Sequence, residues 1–400
     1  MKTVKDLNVN GKRVLVRCDF NVPLKDGKIR DDNRIVQALP TIKELLSKGA
    51  KVILMSHLGK IDHKDPVKLM EGKAKNTLAP VAVRLSELLG LEVKFCENTR
   101  GEVLLNAVNS LKSGEVLLVQ NTRFEKGETK NDAELSKEWA SLADAFVMDA
   151  FGSAHRAHAS TYGVPEILKS EGKEVAVGFL VEKEVVNLSK VVSCKDRPYL
   201  AILGGFKVSD KIKVINSLLK KCDKIIIGGA MAYTFIKALG GNIGTSPCEE
   251  DQLEYAREMY ASGKILLPVD TVCANDFDNP TEIRVVDSKN IPEGFEGLDI
   301  GPKTQEIYVA EILKAKTIFW NGPMGVFEKE QYQQGTIAVC KACAELKGKA
   351  FTVIGGGDSA AACKQFGYSG EFSHVSTGGG ASLEMIENDG HLPGIDVIGE

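Results

Sequence analysis

The sequence predicts an α/β protein with two lobes, each a parallel β-sheet flanked by helices. Apolar runs of strand length alternate with amphipathic runs of helix length along most of the chain, a rhythm typical of βαβ units. At 400 residues the chain is long for a single domain and suits two with substantial cores. The residues that follow the strands also change midway, from charged side chains to paired glycines.

Eight apolar runs end in the way that parallel strands end. They read RVLVRCDFN, KVILMSHLGK, EVLLVQNTRF and AFVMDAFGSAHR in the first half, and YLAILGGFK, KIIIGGAM, AFTVIGGGD and FSHVSTGGGA in the second. Ligands of open α/β sheets lie beyond the carboxyl ends of the strands. The first half therefore offers charged side chains to an anion, and the second offers bare backbone to a nucleotide.

Helical patterns separate these strands. They are NRIVQALPTIKELLSK, NTLAPVAVRLSELLG, LSKEWASLADA, KIKVINSLLKK, EDQLEYAREMYASG, QEIYVAEILKA and QQGTIAVCKACAEL. The run LVEKEVVNLSKVVSC (180–194) has apolar residues at helical spacing and lacks Gly and Pro, so it predicts a stiff interdomain helix. A turn-rich patch at 267–303 indicates short antiparallel strands at a sheet edge.

These elements predict two Rossmann-like lobes joined by an interdomain helix and hinge. The expected divisions are an N-terminal anion-binding domain at 1–170, the interdomain helix and hinge at 171–195, a C-terminal nucleotide-binding domain at 196–390 and a tail at 391–400.

Bulk composition narrows the possible partners. The net charge of -3 gives no general attraction for nucleic acid or acidic lipid, so we expect neither partner. No apolar stretch is long enough to span a bilayer and the N-terminus has no signal-peptide core. The nine scattered cysteines are expected to be buried, reduced thiols, since Cys340 and Cys343 form the one CxxC and it lies in a helical run. These features predict a cytoplasmic protein.

Cations follow several strands of the first half. The candidates to surround one anion are Arg17, Arg34, Lys60, Arg123 and Arg156, with His57 and His155 beside them. Arginine suits this role because its planar fork donates parallel hydrogen bonds and keeps its charge. Asp19 and Asn21 supply acceptors for a substrate hydroxyl, whereas His158 is expected to be structural.

The glycine-rich half indicates nucleotide binding. A P-loop is excluded, since every Gly-Lys is followed by Arg, Ile, Ala or Glu. Gly355, Gly357 and Ala360 match a permissive dinucleotide pattern, but no acidic residue ends the next strand. GGGDSAA instead predicts backbone amides at a helix start facing phosphates, with Asp358 able to hold Mg²⁺.

Side chains around these glycines complete the expected nucleotide site. Lys207 and Lys211 are four apart at a predicted helix opening, so both could reach one phosphate chain. Glu328 ends the short loop WNGPMGVFE and is a candidate acceptor for ribose hydroxyls.

Ten segments together resemble the phosphoglycerate kinase family over about residues 3–394. They are RCDFNVPL, NRIVQALPTI, SHLGK, NTRF, DAFGSAHRAHAS, LGGFKVSDKI, GGAMAYTF, NGPMGVFE, GGGDSAAA and STGGGASLE, in the family's order and spacing. The resemblance implies reversible transfer of the acyl phosphate of 1,3-bisphosphoglycerate to MgADP, giving 3-phosphoglycerate and MgATP, by a monomer that needs Mg²⁺. Two departures are Lys60, where the family usually has Arg, and Phe206, where it usually has Ala.

The resemblance also assigns residues to roles. It implies triose binding by Asp19, Asn21, Arg34, His57, Lys60, Arg123 and Arg156; nucleotide binding by Lys207, Lys211, Gly297, Asn321, Glu328, Gly356, Gly357, Asp358 and Ser359; catalysis by Arg34, Lys207, Gly379 and Gly380; and Mg²⁺ binding by Asp358. Hinge closure is expected to bring the two substrates together and exclude water. The rival interpretations are a polyanion-binding module and a regulatory protein that kept a kinase fold.

Overall fold

The computed structural model describes residues 1–399. Its backbone contacts divide the chain into two compact units, one formed by 1–185 with 391–399 and the other by 186–390. Each unit is built on one six-stranded parallel sheet with helices around it. The α/β fold class predicted from the alternating pattern is confirmed.

The first unit contains eight strands. They are β1 (Arg13–Arg17), β2 (Leu24–Lys25), β3 (Lys28–Ile29), β4 (Lys51–Met55), β5 (Val93–Cys96), β6 (Val116–Val119), β7 (Ala145–Met148) and β8 (Glu174–Val177). The main sheet has the order β5-β6-β4-β1-β7-β8, and β2 and β3 form a separate hairpin. From β1 the chain continues to β4, β5 and β6 on one side of β1, and then crosses to β7 and β8 on the other side. The crevice between β1 and β7 is therefore the topological switch point, where ligands of such sheets bind.

Seven helices belong to or leave this unit. They are α1 (Asn33–Ser47), α2 (Pro66–Lys75), α3 (Ala79–Leu89), α4 (Glu102–Asn109), α5 (Ala133–Ala140), α6 (Val164–Ser170) and α7 (Phe179–Val192). Helix α1 continues through Pro40 and buries Ile35, Ile42 and Leu45 along one stripe, as an amphipathic helix on a sheet does. The predicted interdomain helix is α7, and the boundary between the units falls within it.

The second unit contains eleven strands. They are β9 (Tyr199–Leu203), β10 (Lys224–Ile227), β11 (Asn242–Ile243), β12 (Ile265–Leu266), β13 (Asp270–Ala274), β14 (Ile283–Asp287), β15 (Asn290–Ile291), β16 (Glu296–Ile300), β17 (Thr317–Asn321), β18 (Phe351–Gly355) and β19 (His374–Ser376). The main sheet runs β12-β10-β9-β17-β18-β19. When these six strands are numbered by their order in the chain, the sheet has the doubly wound order 3-2-1-4-5-6. The switch point of that order lies between its first and fourth strands, here β9 and β17.

The remaining helices complete the chain. They are α8 (Ile212–Lys221), α9 (Met231–Ala238), α10 (Leu253–Tyr260), α11 (Pro302–Lys314), α12 (Gln334–Glu345), α13 (Gly357–Gln365), α14 (Gly380–Glu387) and α15 (Pro393–Gly399). Helix α15 packs on α6 and β8 of the first unit. The tail predicted at 391–400 is therefore part of that unit over its described residues.

The strands are buried on both faces, which explains why they read as apolar runs rather than alternating patterns. All five residues of β9 and of β17 are buried, as are all four of β6 and of β7. All eight strands predicted from the sequence are present. The turn-rich patch at 267–303 does contain antiparallel strands, but they form a separate sheet, β14-β13-β16, rather than an edge of the main one.

The cysteines form no disulfide within residues 1–399: seven of the nine are buried, and Cys194 and Cys248 are partly exposed. None of the described helices combines the length and apolar character needed to cross a membrane.

Candidate active site

The charged residues predicted for the first unit gather at one edge of its sheet. Asp19 and Asn21 follow β1, His57 and Lys60 follow β4, Arg123 follows β6 and Arg156 follows β7, while Arg34 lies in the first turn of α1. Because the carboxyl ends of parallel strands meet at one edge, these loops converge beside the switch point.

Direct contacts connect the loops of this edge. Arg34 Nη1 donates to both carboxylate oxygens of Asp19 at 2.9 Å. Asn21 Oδ1 accepts from the amide of Gly59 at 2.9 Å, and Arg123 Nη1 donates to the carbonyl of Gly59 at 2.8 Å. The loops after β1, β4 and β6 are thereby held against one another through polar groups.

We call the three arginines Arg34, Arg123 and Arg156 the cationic cluster, and the buried His57 is their neighbour. Burial lowers the pKa of His57 well below its usual value, and Arg17, Arg123 and Arg34 lower it further. Burial also lowers the pKa of Arg123, and Arg17 and Arg156 add to that effect. Glu128 partly opposes these effects on Arg123, but the cations of this region outnumber its acids. Such a region is suited to an anion, which would relieve the repulsion.

Arg123 retains unused donor capacity. Its Nε is buried and has no hydrogen-bond partner among residues 1–399. A buried unpaired donor is costly, and such groups often await a ligand. Lys60 and Arg156 are exposed at the same edge, so both side chains remain able to reach a bound anion.

One sequence prediction for this unit is wrong. Arg17 was expected to bind the anion directly, but its side chain is 1% exposed. Its guanidinium donates to Ser160 Oγ and to the carbonyl of Cys18, and contacts His57 Nδ1. Arg17 is the last residue of β1 rather than a loop residue, and its side chain is used below the site. Burial lowers the pKa of His158 to about 4, so this histidine carries no charge at neutral pH.

The second unit has a cavity of about 230 Å³ at the carboxyl edge of its sheet. Its walls are mainly apolar, and include Phe206, Phe277, Leu298, Met324 and Val326 along with Gly205, Gly229 and Gly297. Asp358 and Glu328 are also part of its lining. A mainly apolar cavity suits a nucleoside base, and a carboxylate in its lining can accept hydrogen bonds from ribose hydroxyls.

Sequence reasoning missed several residues of this cavity. Phe277 and Glu296 lie in the turn-rich patch at 267–303, from which only Gly297 was predicted to bind the nucleotide, and Tyr233 and Met324 lie in ordinary helical or loop patterns. Apolar lining residues carry no distinguishing signal in a sequence, because core residues have the same composition.

Glycine is required where the loops of this edge touch. A Cβ on Gly204 would lie 2.0 Å from the carbonyl oxygen of Pro323, and one on Gly229 would lie 2.7 Å from the amide of Gly205. Gly205 and Gly229 also have φ values of +128° and +70°, which L side chains adopt rarely. The paired glycines therefore allow the loops after β9, β10 and β17 to pack together and form the cavity.

Two helices begin at this edge of the sheet. Helix α13 begins at Gly357 after Gly356, whose φ is +115°, and α14 begins at Gly380 after Gly379, whose φ is +53°. The space beside Gly357 and Gly379 is open, since a Cβ on either residue would meet nothing within 4 Å. Unpaired amides at such helix starts favour phosphate groups.

The two lysines of the nucleotide prediction lie differently from the expectation. Helix α8 begins at Ile212, so Lys207 and Lys211 lie on the preceding turn and the predicted helical spacing between them is wrong. Lys207 is exposed. Lys211 Nζ donates to Asn321 Oδ1, and Asn321 Nδ2 donates to the carbonyl of Gly355. Burial lowers the pKa of Lys211, whereas the charges of Asp210 and Asp358 act to raise it.

Ser359 and Gly297, two further residues of the predicted nucleotide site, are each held against a neighbouring segment of the second unit. The Ser359 side chain is fully buried and accepts a hydrogen bond from the amide of Gly322 at 2.6 Å, so it joins the loop after β17 to α13. Gly297 lies against the ring of Tyr233, which a Cβ would meet at 2.2 Å.

The dinucleotide pattern that begins at Gly355 lies at the end of β18, the fifth strand of the doubly wound order. A dinucleotide-binding fingerprint follows the first strand of that order, so this pattern is not one.

A magnesium ion could be held at Asp358. This exposed carboxylate is in the first turn of α13. No group of three or more acidic, histidine or cysteine ligands occurs within residues 1–399. A lone carboxylate beside phosphate-binding amides fits Mg²⁺, which usually keeps waters and binds through one or two carboxylates together with substrate phosphates.

A cation-lined edge in one unit and a glycine-lined cavity at the sheet edge of the other are features of a small-molecule kinase. The phosphoglycerate kinase family model matches residues 4–389. The chain is 57% identical to the phosphoglycerate kinase of Fusobacterium nucleatum, covering 99% of both chains, and 55% identical to that of Macrococcus caseolyticus, covering 100% of this chain and 99% of the other. This chain belongs to the phosphoglycerate kinase family.

Solved structures agree with that assignment. The structure of phosphoglycerate kinase from Coxiella burnetii matches with a TM-score of 0.89 at 38% identity, covering 99% of this chain and 98% of the other. The phosphoglycerate kinase from Pyrococcus horikoshii matches with a TM-score of 0.82 at 34% identity, covering 100% and 98%. The resemblance drawn from sequence motifs is confirmed.

Proposed function

We propose that this protein transfers the acyl phosphate of 1,3-bisphosphoglycerate to ADP, reversibly giving 3-phosphoglycerate and ATP. Family membership across residues 4–389 supports the reaction. The observation that carries the assignment of substrate sites is the cationic cluster, in which Arg34 and Arg123 lower the pKa of the neighbouring His57 and Arg123 Nε has no hydrogen-bond partner within residues 1–399. The triose would bind there, and the nucleotide would bind in the glycine-rich cavity of the second unit.

Each predicted triose ligand has a chemically distinct role in this proposal. Arg34, Arg123 and Arg156 would neutralise carboxylate and phosphate charge, with Lys60 as a mobile point charge. Asp19 and Asn21 would bind the substrate hydroxyl, since both offer acceptors at the start of the loop after β1. His57 would donate to a substrate oxygen from the floor of the site.

The nucleotide ligands divide in a similar way. Lys207 and Lys211 would contact phosphates, together with the amides of Gly356, Gly357 and Ser359 at the start of α13. Glu328 would accept from the ribose hydroxyls, Gly297 would let the backbone approach the nucleoside, and Asn321 would orient Lys211 through the bond between them.

The chemistry requires positioning and charge compensation rather than a protein nucleophile. An acyl phosphate is already activated, so the protein must align it with the accepting phosphate. Two unit charges about 4 Å apart repel by about 4 kcal/mol at an effective dielectric near 20. We assign Arg34 of the first unit and Lys207 of the second to compensate this repulsion at the migrating group, with the backbone of Gly379 and Gly380 contacting it without side-chain obstruction.

Magnesium would supply further charge neutralisation on the nucleotide phosphates when bound. Asp358 is the residue that would hold it, and the buried Ser359 hydroxyl would keep the start of α13 against the loop after β17 while it does so. Lys211, drawn toward Asn321, would leave Asp358 free to bind the metal.

We further propose that the protein acts as a monomer in the cytoplasm. The nine free cysteines support a reducing compartment. Light scattering on an eluting column peak would test the oligomeric state, and cell fractionation would test the location.

A coupled assay tests the proposed reaction. Purified protein should form ATP from 1,3-bisphosphoglycerate and MgADP, and the reverse reaction should consume ATP with 3-phosphoglycerate. The Arg34→Ala variant provides an inactive comparison, and Arg84→Ala, at a paired surface arginine of α3, provides the matched active one. Absence of ATP formation by the folded wild-type protein would refute the proposal.

A further inference from the structure

A buried chain of hydrogen bonds connects His57 to an internal carboxylate. Arg17 Nη2 lies 3.0 Å from His57 Nδ1, Arg17 Nε lies 2.7 Å from Ser160 Oγ, and Ser160 Oγ lies 2.7 Å from Glu128 Oε2. Arg17 is 1% exposed, and Ser160 and Glu128 are fully buried. The chain therefore lies beneath the cationic cluster and away from water.

The direction of each bond follows from the donors available. The Ser160 hydroxyl gives its one proton to Glu128, so its oxygen accepts from Arg17 Nε. A guanidinium has donors and no acceptor, so His57 Nδ1 must accept from Arg17 Nη2. Nδ1 is then unprotonated, and the ring carries its proton on Nε2. The contact at Nδ1 is the only hydrogen bond of the His57 ring among residues 1–399.

We propose that Arg17 is a positioning residue that holds His57 as a neutral imidazole with its proton on Nε2. His57 then provides the anionic substrate with a neutral hydrogen-bond donor of fixed orientation, instead of a charge that varies with pH. The arginines of the cluster supply the positive charge. Glu128 balances the charge of Arg17 inside the protein, through Ser160.

Cations on three neighbouring elements oppose the protonation of His57. Arg17 faces it from β1, Arg34 from α1 and Arg123 from the turn after β6, and all three lower its pKa in addition to the effect of burial. His158, in the loop after β7, is the other titratable neighbour and carries no charge at neutral pH. The nearest acids are engaged elsewhere, since Asp19 pairs with Arg34 and Glu128 bonds to Ser160. A proton on Nδ1 would also place two donors, Nδ1 and Arg17 Nη2, against each other.

A spectroscopic experiment tests the proposal on the wild-type protein without any assay of activity. Long-range ¹⁵N–¹H correlation of histidine-labelled protein distinguishes protonated from unprotonated ring nitrogens, and the signal lost in His57→Gln assigns His57. We expect one neutral form, protonated on Nε2, from about pH 5 to pH 8, the range in which an ordinary histidine changes charge. A proton on Nδ1, or a charge change within that range, would overturn the proposal.

A variant adds the functional readout, which rests on the proposed function. Arg17→Gln retains a donor for Nδ1 but removes the cation, so His57 should gain a charge change within the same pH range. The KM for 3-phosphoglycerate should rise about tenfold at neutral pH, as for loss of one well-oriented bond to a charged group, and should become pH-dependent, while ADP affinity stays unchanged. His57→Gln, which presents a neutral donor near the Nε2 position, should retain more 3-phosphoglycerate affinity than His57→Ala.

The outcomes separate this inference from the proposed function. If wild-type protein makes no ATP, the proposed function fails, yet the nitrogen spectrum still decides the form of His57. If Arg17→Gln leaves both the His57 spectrum and the pH dependence of KM unchanged, the positioning role of Arg17 is wrong while the kinase assignment stands. If Arg17→Gln does not fold, the wild-type spectrum alone decides.

Discussion

Arg34 and Asp19 form an ion pair in which one guanidinium nitrogen, Nη1, donates to both carboxylate oxygens at 2.9 Å. The Arg34 side chain is still 42% exposed, whereas Asp19 is only 12% exposed. The pair therefore anchors one terminal nitrogen of the guanidinium against the loop after β1, and the other two nitrogens remain available to an anion.

Replacing Arg34 by alanine should lower turnover much more than nucleotide affinity. We expect kcat to fall at least about a hundredfold, the effect of removing one donor that stabilises transition-state charge, because Arg34 is assigned to the migrating phosphoryl group. ADP affinity, measured by calorimetry, should change less than twofold, since the nucleotide cavity belongs to the other unit. Arg84→Ala serves as the control for general arginine loss, and an unchanged kcat in Arg34→Ala would contradict the assignment.

Replacing Asp358 by asparagine should weaken the binding of MgADP but not of metal-free ADP. The side chain keeps its shape and loses the charge that suits Mg²⁺. Calorimetric titrations with and without magnesium should show about a tenfold loss in the first case alone, as expected when one charged contact is removed. The affinity for 3-phosphoglycerate should stay the same. An equal loss with and without the metal would show that Asp358 does not act through magnesium.

Phe206 should contribute to nucleotide affinity through the nucleoside. Its ring lines the cavity together with Phe277 and is 63% exposed, so a bound base or ribose could cover it. Stacking of a base on an aromatic ring is worth about 1–3 kcal/mol by alanine substitution. Phe206→Ala should weaken ADP binding about tenfold or more, and Phe206→Tyr should not.

Inorganic tripolyphosphate separates this role from an effect on the neighbouring Lys207. It lacks a nucleoside, so its affinity should be the same in wild type and in Phe206→Ala. A parallel loss of ADP and tripolyphosphate affinity would instead mean that Phe206 shapes the phosphate site.

Most of the fold follows from local patterns that the sequence carries. Strands buried on both faces read as short apolar runs, and helices such as α1 and α8 read as amphipathic stripes. Four strands of the main sheets, β5, β8, β12 and β17, escaped prediction. In two of them a charged residue lies within or at the start of the apolar run: β5 reads VKFC and β8 reads EVAV. Both are edge strands, where partial exposure tolerates charge.

The candidate site was predictable where its chemistry is charged, and unpredictable where position decides the role. Arg123 could be recognised as a charged residue that follows a strand. Arg17 is also an arginine at the end of a strand, but its side chain is buried inside the protein. The sequence does not distinguish a buried arginine at a strand end from one that faces the ligand site, and only the fold does. The Ser359 hydroxyl is likewise used internally, a fact that no motif encodes.

Replacing Gly356 by alanine should destabilise the folded protein even in the absence of a ligand. The φ of Gly356 is +115°, and a Cβ would lie 2.4 Å from Asn321 Nδ2. Strain of this kind costs about 1–3 kcal/mol, so Gly356→Ala should lower the urea midpoint of unfolding measurably. Gly370→Ala is the matched control, since its φ is unstrained and a Cβ there meets nothing within 4 Å. Equal midpoints for the two variants would contradict the argument.

Asp149 should make stability depend on pH in an unusual direction. The carboxylate is 1% exposed and its Oδ1 accepts from the amide of Leu180, at the start of α7, at 3.1 Å. Burial raises the pKa of Asp149 to about 7 in the folded protein, whereas it is about 3.9 when unfolded. Between these values the folded state holds the proton more tightly, so its stability falls as pH rises, by up to about 1.4 kcal/mol per pH unit.

Comparison with Asp149→Asn isolates this effect from other titrating groups. Asparagine can still accept from Leu180 but cannot ionise, so the free energy of unfolding of wild type relative to the variant should decrease from about pH 4 to pH 7 and then level off. Urea titrations at several pH values measure the difference. Asp6→Asn is a control whose pH dependence should have the opposite sign, because hydrogen bonds from Thr3 lower the pKa of Asp6. The free energy of unfolding of wild type relative to Asp6→Asn should therefore increase as pH rises through the acidic range. A difference between wild type and Asp149→Asn that does not change with pH would mean that Asp149 is ionised throughout, held by the amides at the start of α7.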